Sequence, residues 1–165
     1  MKEAGSPILL VRHAKAEREH PLGDWARGLT VRGRKLFAPQ ARALADLCAL
    51  KGIATSPWVR AVQTAEILAD AASVKNVQTR AELIPDRNAP TRILKLAREL
   101  GPGWALVGHN PSLEEAATRA LELSEWPLKL KKGAAVALRW EGGAFAFAWQ
   151  ASPEQAPIKN LGIKR

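Results

Sequence analysis

The sequence predicts a three-layer α/β/α sandwich, in which a mostly parallel sheet lies between two layers of helices. Short apolar runs bounded by turn residues alternate along the chain with longer amphipathic stretches. That alternation is typical of a parallel sheet covered by helices on both faces. Near the end, the strand-like runs 134–140 and 144–150 flank Glu141-Gly142-Gly143, which predicts a hairpin. The hairpin should add an antiparallel edge to the sheet.

The chain has 165 residues, of which 47% are hydrophobic, so it has the size of one domain and enough apolar side chains for a core. We expect a single domain over 1–165, with 151–165 as an extended surface tail. The single cysteine, Cys48, excludes a disulfide framework and indicates a buried thiol in a reducing compartment. The apolar run before Arg12 is too short for a signal peptide or a membrane span, so we expect a cytoplasmic protein without membrane contact.

The formal net charge of +9 raises the question of a polyanionic partner. The basic residues are spread along the chain, and the densest clusters, 32–35 and 129–132, are not interleaved with aromatic residues. No specific nucleic-acid partner is therefore expected. The excess suits an enzyme that handles phosphate, with an acidic protein or a polyphosphorylated ligand as partner.

The first predicted strand is the apolar run 8–11, followed by a charged loop over 16–29. Thr30 is placed to cap a helix that ends at Gly52. Pro39 interrupts the apolar face of this helix, so the helix is either kinked there or begins near it.

The second strand, 52–55, leads into a helix with Ser56 before it and Pro57 at its first position. A third strand is predicted within 77–84, and the next helix runs from Asn88 to about Leu100. The fourth strand, 104–107, precedes a helix with Asn110 as its N-cap and Pro111 at its first position.

Polar residues follow three of the predicted strands where each strand ends. In a parallel sheet these ends share one edge, where α/β proteins bind ligands. Two arginines and two histidines should therefore meet there, beside helix N-termini whose N–H groups suit a phosphate. They are Arg12 and His13 after the first strand, Arg60 after the second, and His109 after the fourth. Ser56 and Asn110 either contact phosphate or only cap their helices.

Four segments resemble motifs of the histidine phosphatase, or phosphoglycerate mutase-like, superfamily. They are the Arg-His-Gly/Ala signature at 11–17, the Arg-x-Leu-Thr-x-x-Gly segment at 27–33, the Ser-Pro-x-x-Arg-Ala-x-Gln-Thr-Ala block at 55–65 and the Gly-His-x-Pro element at 107–111. The short chain, the alanine after His13 and the segment 149–153 are similar to the small branch that includes the SixA-type phosphohistidine phosphatases.

The resemblance implies a hydrolase in which His13 attacks phosphorus and forms a phosphohistidine intermediate. Arg12 and Arg60 would hold the phosphoryl oxygens together with Asn110, and His109 would stabilise the charge of the transition state. No metal and no cofactor are expected, because three histidines without a Cys pair or a His-x-x-x-His spacing make a poor ligand set.

The general acid for a phosphate ester is left open. Glu82 lies in about the region where larger relatives carry a carboxylate, and Asp86, Asp24 and Glu17 are further candidates. For each of them, a solvated surface carboxylate is the alternative. Without an acid, a phosphohistidine substrate is favoured, because imidazole, with a pKa of about 6.5, leaves with far less proton help than an alcohol.

The preferred interpretation is therefore a metal-independent protein phosphohistidine phosphatase whose uncapped site admits a phosphorylated protein. The alternatives are a phosphomonoesterase acting on a small phosphate ester, a mutase-like phosphotransferase, and a catalytically idle phosphate-binding module. A charge-driven nucleic-acid-binding domain is the last alternative.

Overall fold

A computed structural model describes residues 5–163; positions 1–4 of the predicted domain and positions 164–165 of the predicted tail lie outside the described residues. Six strands form one sheet: β1 Ile8–Arg12, β2 Gly52–Thr55, β3 Val77–Thr79, β4 Trp104–Gly108, β5 Ala135–Glu141 and β6 Ala144–Ala151. Four α-helices accompany it: α1 Val31–Leu47, α2 Val59–Ala72, α3 Ala89–Leu100 and α4 Ser112–Ala120.

The strand order is β3-β2-β4-β1-β5-β6. The first four strands of that order run parallel, β5 is antiparallel to β1, and β6 is antiparallel to β5. The predicted fold class is thus confirmed, including the antiparallel hairpin at one edge. Arg12 pairs with Gly108 and Thr55 with Val107, so the carboxyl ends of β1, β2 and β4 are nearly level.

Apolar side chains of the central strands alternate between two cores, one on each face of the sheet. Leu9 of β1 lies in the core under α1 and α2, whereas Leu10 lies in the core under α3 and α4. Each fully buried leucine or phenylalanine contributes roughly 1.5–3 kcal/mol. The largest contributors on the two sides include Phe37, Leu44 and Leu68 on the first and Ile93, Leu96 and Leu113 on the second.

Helix α1 begins as predicted, since Thr30 Oγ1 accepts a hydrogen bond of 2.8 Å from Gly33 N. The helix continues through Pro39, which lies on its exposed side, where solvent can reach the carbonyl left free by the missing N–H. It ends at Leu47 rather than at Gly52, because Gly52 already belongs to the sheet and pairs with Trp104.

Two helices begin later than predicted. Helix α2 begins at Val59 instead of Pro57, because the Ser56 hydroxyl accepts a 3.2 Å hydrogen bond from Trp58 N and holds a turn before the helix. Helix α4 begins at Ser112, so Pro111 occupies the capping position that was predicted for Asn110.

The third strand is shorter than its predicted region, and a single 3₁₀ turn, Ala81–Leu83, follows it. A second 3₁₀ turn, Asp24–Ala26, interrupts the charged loop after β1. Beyond β6, Ser152 is buried and Ile158 pairs with Gln150 in an isolated antiparallel bridge.

Among the helices in residues 5–163, none is long and apolar enough to cross a lipid bilayer.

Candidate active site

One cavity of about 310 Å³, here called the histidine pocket, lies at the carboxyl edge of the sheet. Its lining includes Arg12 and His13 from the end of β1, Arg60 from the first turn of α2, and His109 after β4. Asn110 lines it as well. The four side chains that the sequence singled out are thus brought together, because the ends of three parallel strands converge there.

His13 is held in one orientation by its own backbone neighbourhood. Its Nδ1 lies 2.7 Å from the carbonyl oxygen of Ala14, and only 7% of the residue is exposed. A ring nitrogen facing a carbonyl must donate, so Nδ1 carries the proton and Nε2 keeps its lone pair. Burial first, and then the charges of Arg60, Arg12 and Lys132, lower the pKa of His13 to about 3, although the Ala14 carbonyl opposes the shift. His13 is therefore neutral at pH 7.

Arg60 covers the free nitrogen of His13. Its Nε lies 3.3 Å from His13 Nε2, while Nη1 donates to the carbonyl of Asp24 at 2.8 Å and Nη2 to the Asp24 carboxylate at 3.2 Å. The guanidinium also lies over the Trp58 ring, with Cζ 4.9 Å from the ring centroid. A phosphoryl group placed on Nε2 would meet this guanidinium directly.

Arg12 is positioned by a chain of contacts that joins three elements. Its Nη1 donates to the carbonyl of Leu130 at 2.9 Å, and Asn110 Nδ2 donates to the same oxygen at 3.1 Å. The N–H of Leu130 in turn donates to the Glu114 carboxylate at 2.8 Å. Arg12 Nε is buried and has no partner within residues 5–163. This donor is therefore not used by any acceptor of the described chain.

His109 lies beside His13, with ring centroids 5.3 Å apart, and is almost fully buried. Its Nε2 is 2.8 Å from the Ser56 hydroxyl, whereas Nδ1 is buried without a partner in the described part of the chain. Burial, followed by the charges of His13 and Arg60, lowers the pKa of His109 to about 3. Nδ1 is therefore the ring nitrogen without a hydrogen bond in the described residues.

The segment 55–65 also anchors the pocket to its surroundings. Thr64 Oγ1 accepts from Ala14 N at 3.0 Å and donates to the carbonyl of Arg60 at 2.7 Å. Gln63 Oε1 accepts from Leu29 N at 2.7 Å. These bonds fix the first two turns of α2 against the backbone at Ala14 and at Leu29.

Of the four candidate carboxylates, only Asp24 lines the histidine pocket. Partial burial acts to raise its pKa, but hydrogen bonds and charge from Arg27 and Arg60 outweigh burial, and the pKa lies below its usual value. Arg27 Nε is 2.6 Å from Asp24 Oδ1. Asp24 is thus an ionised anchor for two arginines.

Glu82 lies in the 3₁₀ turn after β3 and is absent from the lining of the pocket. Its carboxylate accepts from Arg80 Nη2 at 3.0 Å, and this hydrogen bond is the main reason that its pKa is lowered. Asp86 is paired with Arg92 at 2.8 Å, and Glu17 is exposed.

Sequence reasoning missed several residues at this site. Trp58 lies inside the 55–65 segment, two positions before Arg60, which could have indicated it; its ring is edge-on to His109, with the ring centroids 5.1 Å apart. Lys132 lines the pocket and comes from the basic cluster 129–132. Glu114 had no such signal, because its partner is the backbone of a loop sixteen residues away.

Within residues 5–163, no group of three or more His, Cys, Asp or Glu side chains is arranged to hold a metal ion. The positive charge around the pocket comes from the arginines and Lys132.

The fold and the pocket can be compared with those of known proteins. Residues 8–85 match the model of the histidine phosphatase superfamily, branch 1. This segment, 78 of the 165 residues, is thus similar to that superfamily. No curated protein sequence matches the chain significantly.

Solved structures with the same fold include the protein histidine phosphatase SixA complexed with tungstate. That structure is 23% identical, with a TM-score of 0.76, and the match covers 88% of this chain and 96% of SixA. The candidate SixA from Agrobacterium tumefaciens is 22% identical, with a TM-score of 0.76 and coverage of 92% and 100%. The phosphoserine phosphatase from Entamoeba histolytica, in complex with 3-phosphoglyceric acid, is 16% identical, with a TM-score of 0.70 and coverage of 90% and 98%. At these identities the likeness describes the fold.

Proposed function

We propose that this chain is a metal-independent phosphatase of the SixA type that removes the phosphoryl group from phosphohistidine on a protein, with residues 1–165 acting as one domain. His13 is the nucleophile, Arg12, Arg60 and Asn110 bind the phosphoryl group, and His109 stabilises the transition state. The observation that carries the proposal is the state of His13, a buried neutral imidazole whose Nε2 faces the Arg60 guanidinium at 3.3 Å.

The reaction begins when the substrate phosphoryl group displaces Arg60 from His13 Nε2 and is gripped by its guanidinium. Nε2 attacks phosphorus in line, the new P–N bond forms, and the P–N bond to the substrate imidazole breaks. The His13 ring becomes positively charged, and the Nδ1–Ala14 hydrogen bond of 2.7 Å supports that charge. Water then attacks phosphorus, inorganic phosphate leaves, and His13 returns to its neutral form.

The ionised state of Asp24, the carboxylate that lines the pocket in the described part of the chain, favours a phosphohistidine substrate. When the substrate ring is protonated on its far nitrogen, it leaves as neutral imidazole and needs no further proton. Transfer from one imidazole to another is therefore nearly balanced. An alkoxide leaving group needs a general acid, which is typically worth about 100- to 10,000-fold. Asp24 is the only carboxylate that lines the pocket in the described chain, and its arginine partners keep it ionised.

His109 contributes through Nδ1, the nitrogen without a partner, while Ser56 holds Nε2 at 2.8 Å. With the Ser56 hydroxyl donating to Nε2, Nδ1 carries the proton and donates to a phosphoryl oxygen as charge develops. Arg12 Nε supplies another unshared donor. Both groups are buried and fixed before the substrate arrives, which makes them effective for stabilising developing charge.

A small-molecule phosphomonoesterase of the same fold is the second candidate. It is favoured by the fold's likeness to the Entamoeba phosphoserine phosphatase. In that case Asp24 or Glu82 would have to protonate the alcohol, although Glu82 lies outside the pocket lining. With one cysteine, Cys48, the chain has no disulfide framework, which suits a reducing compartment, and we propose the cytoplasm.

The test compares a phosphohistidine-bearing carrier protein with a simple aryl phosphate, both in the presence of a chelator. We expect phosphate release from the carrier protein at a kcat/KM well above that for the aryl ester. His13→Ala should lower the rate by about 10,000-fold or more, as loss of a nucleophile does. His20→Ala, which changes an exposed histidine in the loop after β1, is the matched control.

Acid-labile radiolabel on the wild-type protein after a short mixing time, absent from His13→Ala, would identify the phosphohistidine intermediate. Release from the aryl ester alone would favour the phosphomonoesterase. Release from neither substrate would leave a phosphate-binding module.

A further inference from the structure

A second cavity lies beside the histidine pocket and shares Arg12 and Lys132 with it. This cavity has a volume of about 650 Å³, and Lys15, Lys129 and Lys131 also line it. We call it the lysine groove. Because two residues line both cavities, a bound chain could reach from the groove into the pocket without a break.

The lysine groove has a strong excess of positive charge. Its lining contains five cationic side chains and one carboxylate, Glu154. Within residues 5–163, none of the groove lysines forms an ion pair with a carboxylate. Burial, and then the charges of Arg12 and Lys15, lower the pKa of Lys132. Unpaired cations around a concave surface attract an anionic ligand.

The floor of the groove is apolar, so an anion that fits the groove should also carry an apolar group. Leu36, Phe37 and Pro153 line it; Phe37 is fully buried, so the apolar surface open to a ligand comes from the half-buried Leu36 and Pro153. At Gly133, where φ is +78°, a Cβ atom would lie only 3.2 Å from both Phe37 and Pro153. Glycine at this position therefore lets the loop pack closely against Phe37 and Pro153.

Backbone hydrogen bonds fix the lysine-bearing segment to the strand that carries His13. Gly133 N donates to the carbonyls of Arg12 and His13 at 3.0 and 3.1 Å, and Arg12 N donates to Ala134 O at 2.9 Å. The position of the groove relative to the nucleophile is therefore set by the fold rather than by a free loop.

We propose that the lysine groove binds an acidic polypeptide segment that carries an apolar side chain and adjoins the phosphorylated histidine of the protein substrate. The proposal rests on the function proposed above and names the surface that would select a protein over a small phosphate. Lysines would pair with Asp and Glu side chains, and the floor would cover one apolar side chain. A free polyphosphate would match the lysines but leave the apolar floor in contact with water.

The kinetic test removes two groove charges that lie outside the histidine pocket, with Lys129→Gln combined with Lys131→Gln. We expect kcat/KM for an acidic phosphohistidine carrier protein to fall about 10-fold at low ionic strength, through a higher KM. The aryl phosphate rate should stay unchanged. In about 0.5 M salt the difference between wild type and variant should nearly vanish, because screening weakens exposed charges.

The matched control is Lys75→Gln combined with Lys95→Gln, which removes two exposed lysines from positions outside the groove. Equal losses in the groove variant and in this control would overturn the proposal, since net charge alone would then explain the effect. An equal loss on the aryl phosphate would also overturn it, because the lysines would then act on the chemistry.

A binding measurement separates this inference from the proposed function. Fluorescence anisotropy with a labelled peptide rich in Asp and Glu, containing leucine and no phosphate, should show binding to wild type that weakens in the groove variant but not in the control. If neither phosphate substrate is hydrolysed, the proposed function is wrong. The anisotropy measurement then tests by itself whether the groove binds an acidic polypeptide. If tripolyphosphate binds in a way that depends on Lys129 and Lys131 and the peptide does not bind, the proposed polypeptide ligand is wrong. The groove would then be a site for a small polyanion.

Discussion

The histidine pocket and the lysine groove lie side by side and share residues, but their charged side chains differ in burial and in ion pairing. Arg60 in the pocket is 4% exposed and bonded to Asp24, whereas Lys129 and Lys131 in the groove are exposed and without ion pairs in the described chain. Buried, fixed donors act strongly on a reacting group, while exposed charges act on encounter and are screened by salt. The comparison thus sets the proposed catalytic region apart from the proposed docking region.

Replacing a buried group of the pocket should have the largest effect on rate. We expect His109→Ala to lower kcat about 100- to 1,000-fold on either phosphate substrate, because one fixed donor to the transition state is lost. KM should change little. Steady-state kinetics with the two substrates used above provide the measurement, and a tenfold larger effect on KM than on kcat would contradict the assigned role.

A positioning residue should have a smaller effect that a conservative replacement restores. Glu114→Ala leaves the N–H of Leu130 without its acceptor and loosens the carbonyl that holds Arg12. We expect kcat/KM to fall about 10- to 100-fold, as small misplacements near a reacting centre do. The free energy of unfolding should fall by roughly 1–3 kcal/mol.

Glu114→Gln keeps an oxygen acceptor, so it should recover most of the wild-type kcat/KM and most of the wild-type free energy of unfolding. Glu115→Ala, on the exposed side of the same helix, is the matched control. Loss of stability without any loss of rate in Glu114→Ala would show that the contact serves the fold alone.

Acidification should destabilise the protein through the pocket rather than through the groove. The pKa values of His13 and His109 are lowered to about 3 from an unfolded value near 6.5. The unfolded chain therefore binds more protons than the folded chain between these values, so stability falls as pH falls through 6.5. Each histidine should contribute up to about 1.4 kcal/mol per pH unit.

Urea unfolding between pH 7 and pH 5 measures this slope above the range where most carboxylates titrate. His13→Asn and His109→Asn should each make the slope shallower. A slope that stays the same in both variants would contradict the buried, neutral state of the two rings.

The smallest effect is expected at Asp24. Asp24→Asn keeps the carbonyl that binds Arg60 and removes only the carboxylate charge. The rate on the aryl ester should fall less than about 5-fold, compared with the ~100-fold or more expected of a general acid. A large loss of rate on the aryl ester alone would assign Asp24 as the general acid. It would then favour the phosphomonoesterase as the function of this chain.

Much of the sheet could be predicted because its signals are local. The apolar run 8–11 ends at Arg12, and the glycine pair 142–143 lies between two strand-like runs, so periodicity and turn residues were sufficient. The helix starts were less accurate. At α2, the Ser56 hydroxyl accepts a hydrogen bond from Trp58, which local propensity does not reveal.

The sequence by itself determined which residues meet at the carboxyl edge, because parallel strands bring their ends together wherever the helices between them lie. His13 and His109 follow from that rule, and Arg60 follows because α2 begins shortly after β2 at the same edge. Only the tertiary structure decided which carboxylate faces the pocket, since Asp24 and Glu82 lie in irregular turns without a periodic pattern. It also decided that the loop at Leu130, 118 positions from Arg12, holds that arginine and carries the lysines of the groove. Such contacts depend on how distant segments pack, and no local pattern in the chain encodes that packing.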